Sequence, residues 1–255
     1  MLALRSALFN LLFYLVLIGL MLIGLPTLAF GRHAVLRMAN IWGRTSLVLL
    51  RAVCGTHVEF RGLANIPPQA CIVASKHQSF IEIIALSGLF PDFTFVFKRE
   101  LTRIPLFGWY LAMSRQIAVD RSQGRSALTE VSRRAKVVLA EGRQFLIFPE
   151  GTRRPPGAPA DYKFGAAFIY AETGATCLPV ALNSGLFWPR RSFIRRPGTI
   201  VIEFLTPIPP GLDRTIFHAL LRDRIEAASD ALSAEAFEAD PELASHVPGL
   251  AAPVG

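Results

Sequence analysis

His77 is followed, after four residues, by the carboxylate of Glu82. A histidine can take a proton near neutral pH, and a carboxylate beside it can hold its tautomer and stabilise the imidazolium that forms. The apolar run before the pair, Cys71–Ala74, reads as a buried strand, and the run after it, Phe80–Leu89, reads as a helix. The same residues also have a structural reading. Ser79-x-x-Glu82 fits a helix capping box, which would place both side chains there to satisfy free N–H groups. Three further polar clusters follow runs of strand type: Lys98-Arg99-Glu100 after Thr94–Phe97, Asp120-Arg121 after Gln116–Val119, and Glu150-Gly151-Thr152-Arg153 after Phe145–Phe148 and Pro149. In open α/β sheets, ligands sit beyond the carboxyl ends of the strands. If these strands are parallel, all four clusters open on one rim and supply a base and several cations. Arg153 can grip an anion through two parallel hydrogen bonds, with Glu150 holding the guanidinium. A solvated turn with a surface ion pair of little worth fits the same residues.

The elements that must position these groups alternate in type. Besides the strands above, His57–Phe60, Thr176–Ala181 and Thr199–Phe204 have strand character. Helical patterns cover Leu106–Met113, Ser126–Glu141, Phe164–Thr173 and Asp213–Leu232. Ser126–Glu141 carries its apolar residues (Leu128, Val131, Ala135, Val138, Leu139) on a 3.6-residue stripe, as a helix lying on a sheet does. The pattern predicts an α/β fold: a mostly parallel central sheet flanked by helices, preceded by an N-terminal helical membrane segment.

The 255 residues leave room for that segment, and a mean hydropathy of +0.40 demands something beyond a soluble domain. Ala7 to Phe30 is apolar apart from Asn10 and Thr27, long enough to span a bilayer. Gly19, Gly24 and Pro26 equally allow a bent helix in one leaflet. Leu36 to Val53 reads as a second helix, with arginines placed to meet lipid phosphates. Arg32, Arg37, Arg44 and Arg51 follow the apolar stretch, which puts the downstream domain on the cytoplasmic side of an inner membrane. The expected division is residues 1–54 as membrane-anchoring helices, 55–235 as the α/β domain and 236–255 as a flexible tail. Net charge is +8, yet residues 225–255 hold six acids and no Lys or Arg, so the positive charge is concentrated upstream. Such an excess suits an anionic partner: nucleic acid, a lipid surface or a phosphorylated substrate. Cys54, Cys71 and Cys177 lack metal-ligand spacing and sit in apolar surroundings, as reduced core thiols do.

Four blocks in order resemble the glycerophospholipid acyltransferase family, its bacterial 1-acylglycerol-3-phosphate acyltransferases in particular, from about Gly55 to Thr206. They are His77 with Glu82; Lys98-Arg99-Glu100-Leu101 with Ile104-Pro105-Leu106-Phe107-Gly108 and then Val119-Asp120-Arg121; Phe148-Pro149-Glu150-Gly151-Thr152-Arg153; and Cys177-Leu178-Pro179-Val180-Ala181. The family usually carries Asp where this chain has Glu82, one methylene longer. The resemblance implies transfer of an acyl group from acyl-CoA or acyl carrier protein to a lysophospholipid hydroxyl, with no cofactor and no metal. His77 would be the base, and Glu82 would hold it. Lys98, or a backbone N–H near His77, would stabilise the oxyanion. Arg153, with Arg121 and Arg99, would bind the phosphate within the Glu150-Gly151-Thr152 turn. Another lysolipid, such as lyso-ornithine lipid, is the alternative acceptor. The stretch Trp188 to Arg196 mixes aromatics and arginines, as a headgroup surface or a solvated basic loop does.

Two other classes fit part of the pattern. A nucleic-acid binder would be equally basic, but the chain has no recognised binding motif. A serine hydrolase could use Ser79, but the chain has no Gly-x-Ser-x-Gly elbow.

Overall fold

The computed structural model describes residues 1–120 and 123–247. A seven-stranded sheet forms the centre: β1 (Thr56–Arg61), β2 (Ile72–Ser75), β3 (Phe93–Lys98), β4 (Ile117–Val119), β5 (Gln144–Ile147), β6 (Cys177–Leu182) and β7 (Gly198–Phe204). Their order is β1-β7-β6-β2-β5-β3-β4. Every neighbouring pair is parallel except β6 with β7, so β1 and β7 run against the other five. The strands that end in polar clusters, β2, β5, β3 and β4, lie side by side and point the same way. Their carboxyl ends therefore share one rim, as the spacing of clusters and strands predicts.

Alternation along β2 divides the core in two. Val73 packs with α1 (Leu2–Ile23), α2 (Arg32–Leu49) and α3 (Ile81–Leu89). Ile72 and Ala74 pack on the other face, with α5 (Gly124–Ala140), α6 (Gly165–Thr173) and α7 (Arg214–Ala239). The short α4 (Phe107–Met113) lies near β3, between the sheet and the N-terminal helices.

The N-terminal helices form an antiparallel hairpin that is docked on the domain. α1 starts at Leu2, earlier than the apolar run suggests, and Gly19 does not interrupt it. The break comes at Gly24, followed by a 3₁₀ turn over Leu25–Ala29 with Pro26 in its first turn. α2 then returns alongside, bringing the Cys54 thiol 3.9 Å from the Arg5 carbonyl. By length and composition α1 could cross a membrane. Yet Ser6, Phe9 and Phe13 are buried, with Phe9 edge-on to Trp188 and Phe13 edge-on to Phe80. The buried Arg195 stacks on Trp188 and donates to Asn10 at 3.1 Å, while its own N–H donates to Ser6 at 2.9 Å. The loop 188–196 is thus partly a socket for α1, which neither a headgroup surface nor a solvated loop describes.

The arginines of α2 also depart from expectation. Arg44 donates to the Gly88 carbonyl, and Asn40 donates to the Ser87 and Phe90 carbonyls, satisfying the free C-terminal carbonyls of α3. Arg32 pairs with Asp92 and Glu141. These two arginines therefore bind the domain rather than lipid phosphates. The contact is close because Gly43 and Gly88 meet at the helix crossing, where a Cβ on Gly43 would lie 2.7 Å from the Gly88 nitrogen.

The boundary expected at residue 235 falls inside α7. Beyond it, Leu243 and Val247 are buried in the core around α1 to α3, so the chain up to Val247 is packed rather than loose. Residues 248–255 lie outside the described residues.

Candidate active site

β2 ends at Ser75, and the chain stays extended through Lys76 and His77 before turning into α3. His77 lands on the face of the hairpin. Its ring stacks on Phe148 at 3.9 Å between centroids, and Phe148 lies parallel to Phe95. This stack fixes the plane of the imidazole. Nδ1 lies 3.7 Å from Oε2 of Glu82, longer than a hydrogen bond, and neither atom has another partner among the described residues. Catalytic hydrogen bonds often tighten only when substrate binds. With Nδ1 turned to Glu82, Nε2 is the nitrogen left for a substrate.

Glu82 also does the capping work. Its Oε1 accepts from the N–H of Ser79 at 2.8 Å, the N–H of Gln78 at 3.0 Å and the hydroxyl of Ser184. The two readings of the Ser79-x-x-Glu82 pattern therefore hold together, one through each oxygen. Burial alone would raise this carboxyl, but the facing His77, the Ser184 hydroxyl and the backbone N–H groups outweigh it and hold Glu82 below the usual carboxylate range. Ser79 is fully buried at the helix start, which leaves a hydrolase nucleophile no route to substrate.

Glu150 does not hold Arg153. It is buried, accepts the His77 N–H at 2.9 Å through Oε2, and lies 3.1 Å from the Lys76 ammonium through Oε1. Burial pushes its carboxyl up, against the pull of Lys76 and the His77 N–H. The turn it begins is tied back to the site by Arg154, whose N–H donates to the His77 carbonyl at 2.8 Å. Gly151 has φ +66°, a conformation that favours glycine, while Thr152 is exposed and Arg153 half-buried.

Arg153 meets two other cations. Arg190 donates to the Arg153 carbonyl at 2.9 Å, and Arg191 follows in a turn closed by the Ser192 N–H on the Pro189 carbonyl. Arg191 has φ +62°, uncommon for a side-chain-bearing residue. Burial and the neighbouring Arg190 and Arg191 lower the proton affinity of the Arg153 guanidinium, and only Glu82 acts against them. Unbalanced cations of this kind suit a multiply charged anion. Arg190 and Arg191 were legible only as members of a basic stretch; their convergence on Arg153 comes from the β6–β7 loop.

The other expected cations are not gathered here. Lys98 is exposed, makes no side-chain hydrogen bond or ion pair among the described residues, and by alternation from Phe95 falls on the face opposite His77. Arg99 lines a separate cleft of about 320 Å³ with Asp120, Glu130 and Arg134. Arg121 lies outside the described residues. The N–H groups of His77, Gln78 and Ser79 are all taken by carboxylates, so the backbone at His77 offers no free oxyanion donor.

Beside the His77–Phe148 stack lies an apolar cavity of about 630 Å³. Phe80 and Phe148 line it at the His77 side, Tyr14, Ile18, Ala39 and Trp42 from the hairpin, and Ile104 and Tyr110 from the segment around α4. Tyr110 closes that segment onto α1 by donating to the Met21 carbonyl at 2.6 Å. A histidine thus stands at the edge of an apolar cavity large enough for an acyl chain, beside a cluster of arginines.

Residues 57–183 match the family model described as Acyltransferase. Through this domain, the chain belongs to the acyltransferase family. It is 42% identical over 161 residues to a 1-acyl-sn-glycerol-3-phosphate acyltransferase of Pseudomonas aeruginosa, covering 63% of each chain. A protein of the same description from Cocos nucifera is 28% identical over 178 residues, 69% of this chain and 58% of that one. The matched stretch is thus about three fifths of the length of these relatives. The crystal structure of the 1-acyl-sn-glycerophosphate (LPA) acyltransferase from Thermotoga maritima superposes with a TM-score of 0.76 at 25% identity, covering 92% of this chain and 98% of that one. The α/β fold is therefore shared with that acyltransferase.

Proposed function

We propose that this protein transfers a fatty acyl group from a thioester, acyl-CoA or acyl carrier protein, to the sn-2 hydroxyl of 1-acylglycerol 3-phosphate, making phosphatidic acid. The observation that carries the reading is His77 at the edge of the apolar cavity, with Nδ1 facing buried Glu82 and the Arg153 cluster nearby. Nε2 of His77 takes the proton of the acceptor hydroxyl as its oxygen attacks the thioester carbonyl. Glu82 stabilises the imidazolium. Collapse of the tetrahedral intermediate breaks the C–S bond, and the thiolate leaves with the proton from His77. The substrate hydroxyl is itself the nucleophile, so no residue is acylated. The Thr152 and Arg153 N–H groups make no backbone hydrogen bond among the described residues, and the turn that carries them adjoins His77. They replace Lys98 and the His77 backbone as our candidate oxyanion donors.

The Arg153, Arg190 and Arg191 cluster favours a phosphate monoester over a zwitterionic headgroup. The reading places the site at a membrane. Leu4, Leu8, Leu11, Leu15 and Leu22 form an exposed stripe along α1, opposite the face docked on the domain. A helix docked along its length and apolar on its outside suits burial in one leaflet, with the catalytic domain on the cytoplasmic side.

The test is His77→Ala, assayed for acyl transfer from acyl-CoA to a panel of lysolipids, with product read by mass. Loss of phosphatidic acid formation in a folded variant is expected. Unchanged turnover sinks the mechanism, and a wild-type enzyme that prefers lyso-ornithine lipid sinks the acceptor assignment.

A further inference from the structure

Lys76 immediately precedes the base and points the other way. The chain is extended there, so alternation sends His77 to the hairpin face and Lys76 to the face of α7. Lys76 is only 4% exposed, with its ammonium 5.7 Å from the Tyr162 ring centre. Two carboxylates hold that ammonium: Glu150 at 3.1 Å, from the turn after β5, and Glu226 at 2.5 Å, from α7. Glu150 has a second task, accepting the His77 N–H at 2.9 Å. Glu226 lies well beyond the residues 57–183 that carry the family match, in the acidic C-terminal stretch.

We infer that Glu226 is a positioning residue for His77, acting through Lys76 and Glu150. The inference rests on His77 being the base. A single buried ammonium shared by two carboxylates leaves each with surplus negative charge. Glu150 directs its surplus at the His77 N–H, which sets the height of the imidazole above Phe148 and its distance from Glu82. Without Glu226, Lys76 and Glu150 close into a neutral pair. Glu150 is then drawn towards the ammonium and its bond to the His77 N–H lengthens. Small displacements of a base are expensive: a shift of a fraction of an ångström is expected to lower kcat about tenfold without touching either substrate.

The experiment uses the full chain labelled with ¹⁵N-histidine, which contains five histidines and so gives a simple amide spectrum. In substrate-free Glu226→Gln, the His77 amide proton is expected to move upfield, the sign of a weakened bond to a carboxylate, while the other histidines stay in place. In the acyl-transfer assay kcat falls about tenfold with both KM values unchanged. Glu150→Gln with Glu226→Gln loses no more than Glu150→Gln alone, because the two act in series. A His77 amide that keeps its wild-type position overturns the inference, as does an unchanged kcat or losses that multiply in the double variant. If Glu226→Gln does not fold, Glu226→Ala decides by the same criteria, since it too removes the second carboxylate from Lys76. If the wild type acylates none of the lysolipids tested, the functional reading fails, and the amide spectrum still judges this one.

Discussion

Glu82→Gln separates the two tasks that one side chain performs. In the wild type, Oε1 accepts from Gln78, Ser79 and Ser184, and Oε2 faces the His77 ring. A glutamine keeps an oxygen for the three donors only by turning its NH₂ towards Nδ1 of His77. That NH₂ donates to Nδ1 and moves the ring proton to Nε2, which can then no longer act as a base. Loss of the working tautomer costs about 10⁴ in kcat in a serine-protease triad, and the same order is expected here, about 5 kcal/mol in the barrier. Stability changes less. Replacing a carboxylate acceptor by an amide weakens each of three hydrogen bonds by about 1 kcal/mol, and no longer burying a charge offsets part of that total. The pH dependence has a definite sign. The folded-state carboxyl of Glu82 titrates below its ordinary value of 4.5, so its contribution is full above that pH and is lost as pH falls through the folded value. Wild type and Glu82→Gln should therefore converge in stability as pH falls through that lowered folded-state value. Steady-state acyl transfer at neutral pH, with denaturant unfolding at neutral and acidic pH, measures both effects. A folded Glu82→Gln enzyme with kcat within threefold of wild type would refute the tautomer argument.

Other substitutions test separate parts of the site. Arg153→Ala should raise KM for the phosphorylated acceptor at least tenfold, the usual cost of losing a charge-assisted bond, and leave KM for acyl-CoA unchanged; kinetics with each substrate varied in turn reads this. Ala39→Trp places a large side chain in the cavity wall, and should shift the products towards shorter acyl chains in a mixed-donor competition analysed by mass. Gly43→Ala would put its Cβ 2.7 Å from the Gly88 nitrogen and the Ile84 carbonyl oxygen, backbone atoms that cannot swing aside. Prising α2 from α3 should cost about 1–3 kcal/mol, seen as a lowered Tm.

The seven strands were readable because buried strands announce themselves as short apolar runs, and the rim because a polar cluster after β2, β3, β4 and β5 marks where the chain leaves the sheet. The core of the His77–Glu82 pair was readable for the same reason. What spacing could not reveal was which face of the sheet each neighbour would take. Lys76 and His77 are adjacent in sequence and lie on opposite sides of the sheet, and Glu150 serves the backbone between them instead of Arg153. Lys98 and Arg99 stand at the right rim, but strand alternation and the edge cleft separate them from His77. Arg190, Arg191 and Glu226 reach the site only through long-range packing of a loop and a C-terminal helix, for which no local pattern exists.

The docked hairpin has a consequence for any attempt to cut this chain down. Phe9 and Phe13 interlock with Trp188, Trp42 and Phe80, and Phe80 directly precedes the helix that carries Glu82. A truncation at residue 54 would therefore do more than release the protein from lipid. It would open the cavity on one side, strip the support from the start of α3 and expose an apolar scar prone to self-association. The first two helices wall one side of the apolar chamber beside His77, and a remnant made without them is expected to lose the proposed acyl transfer.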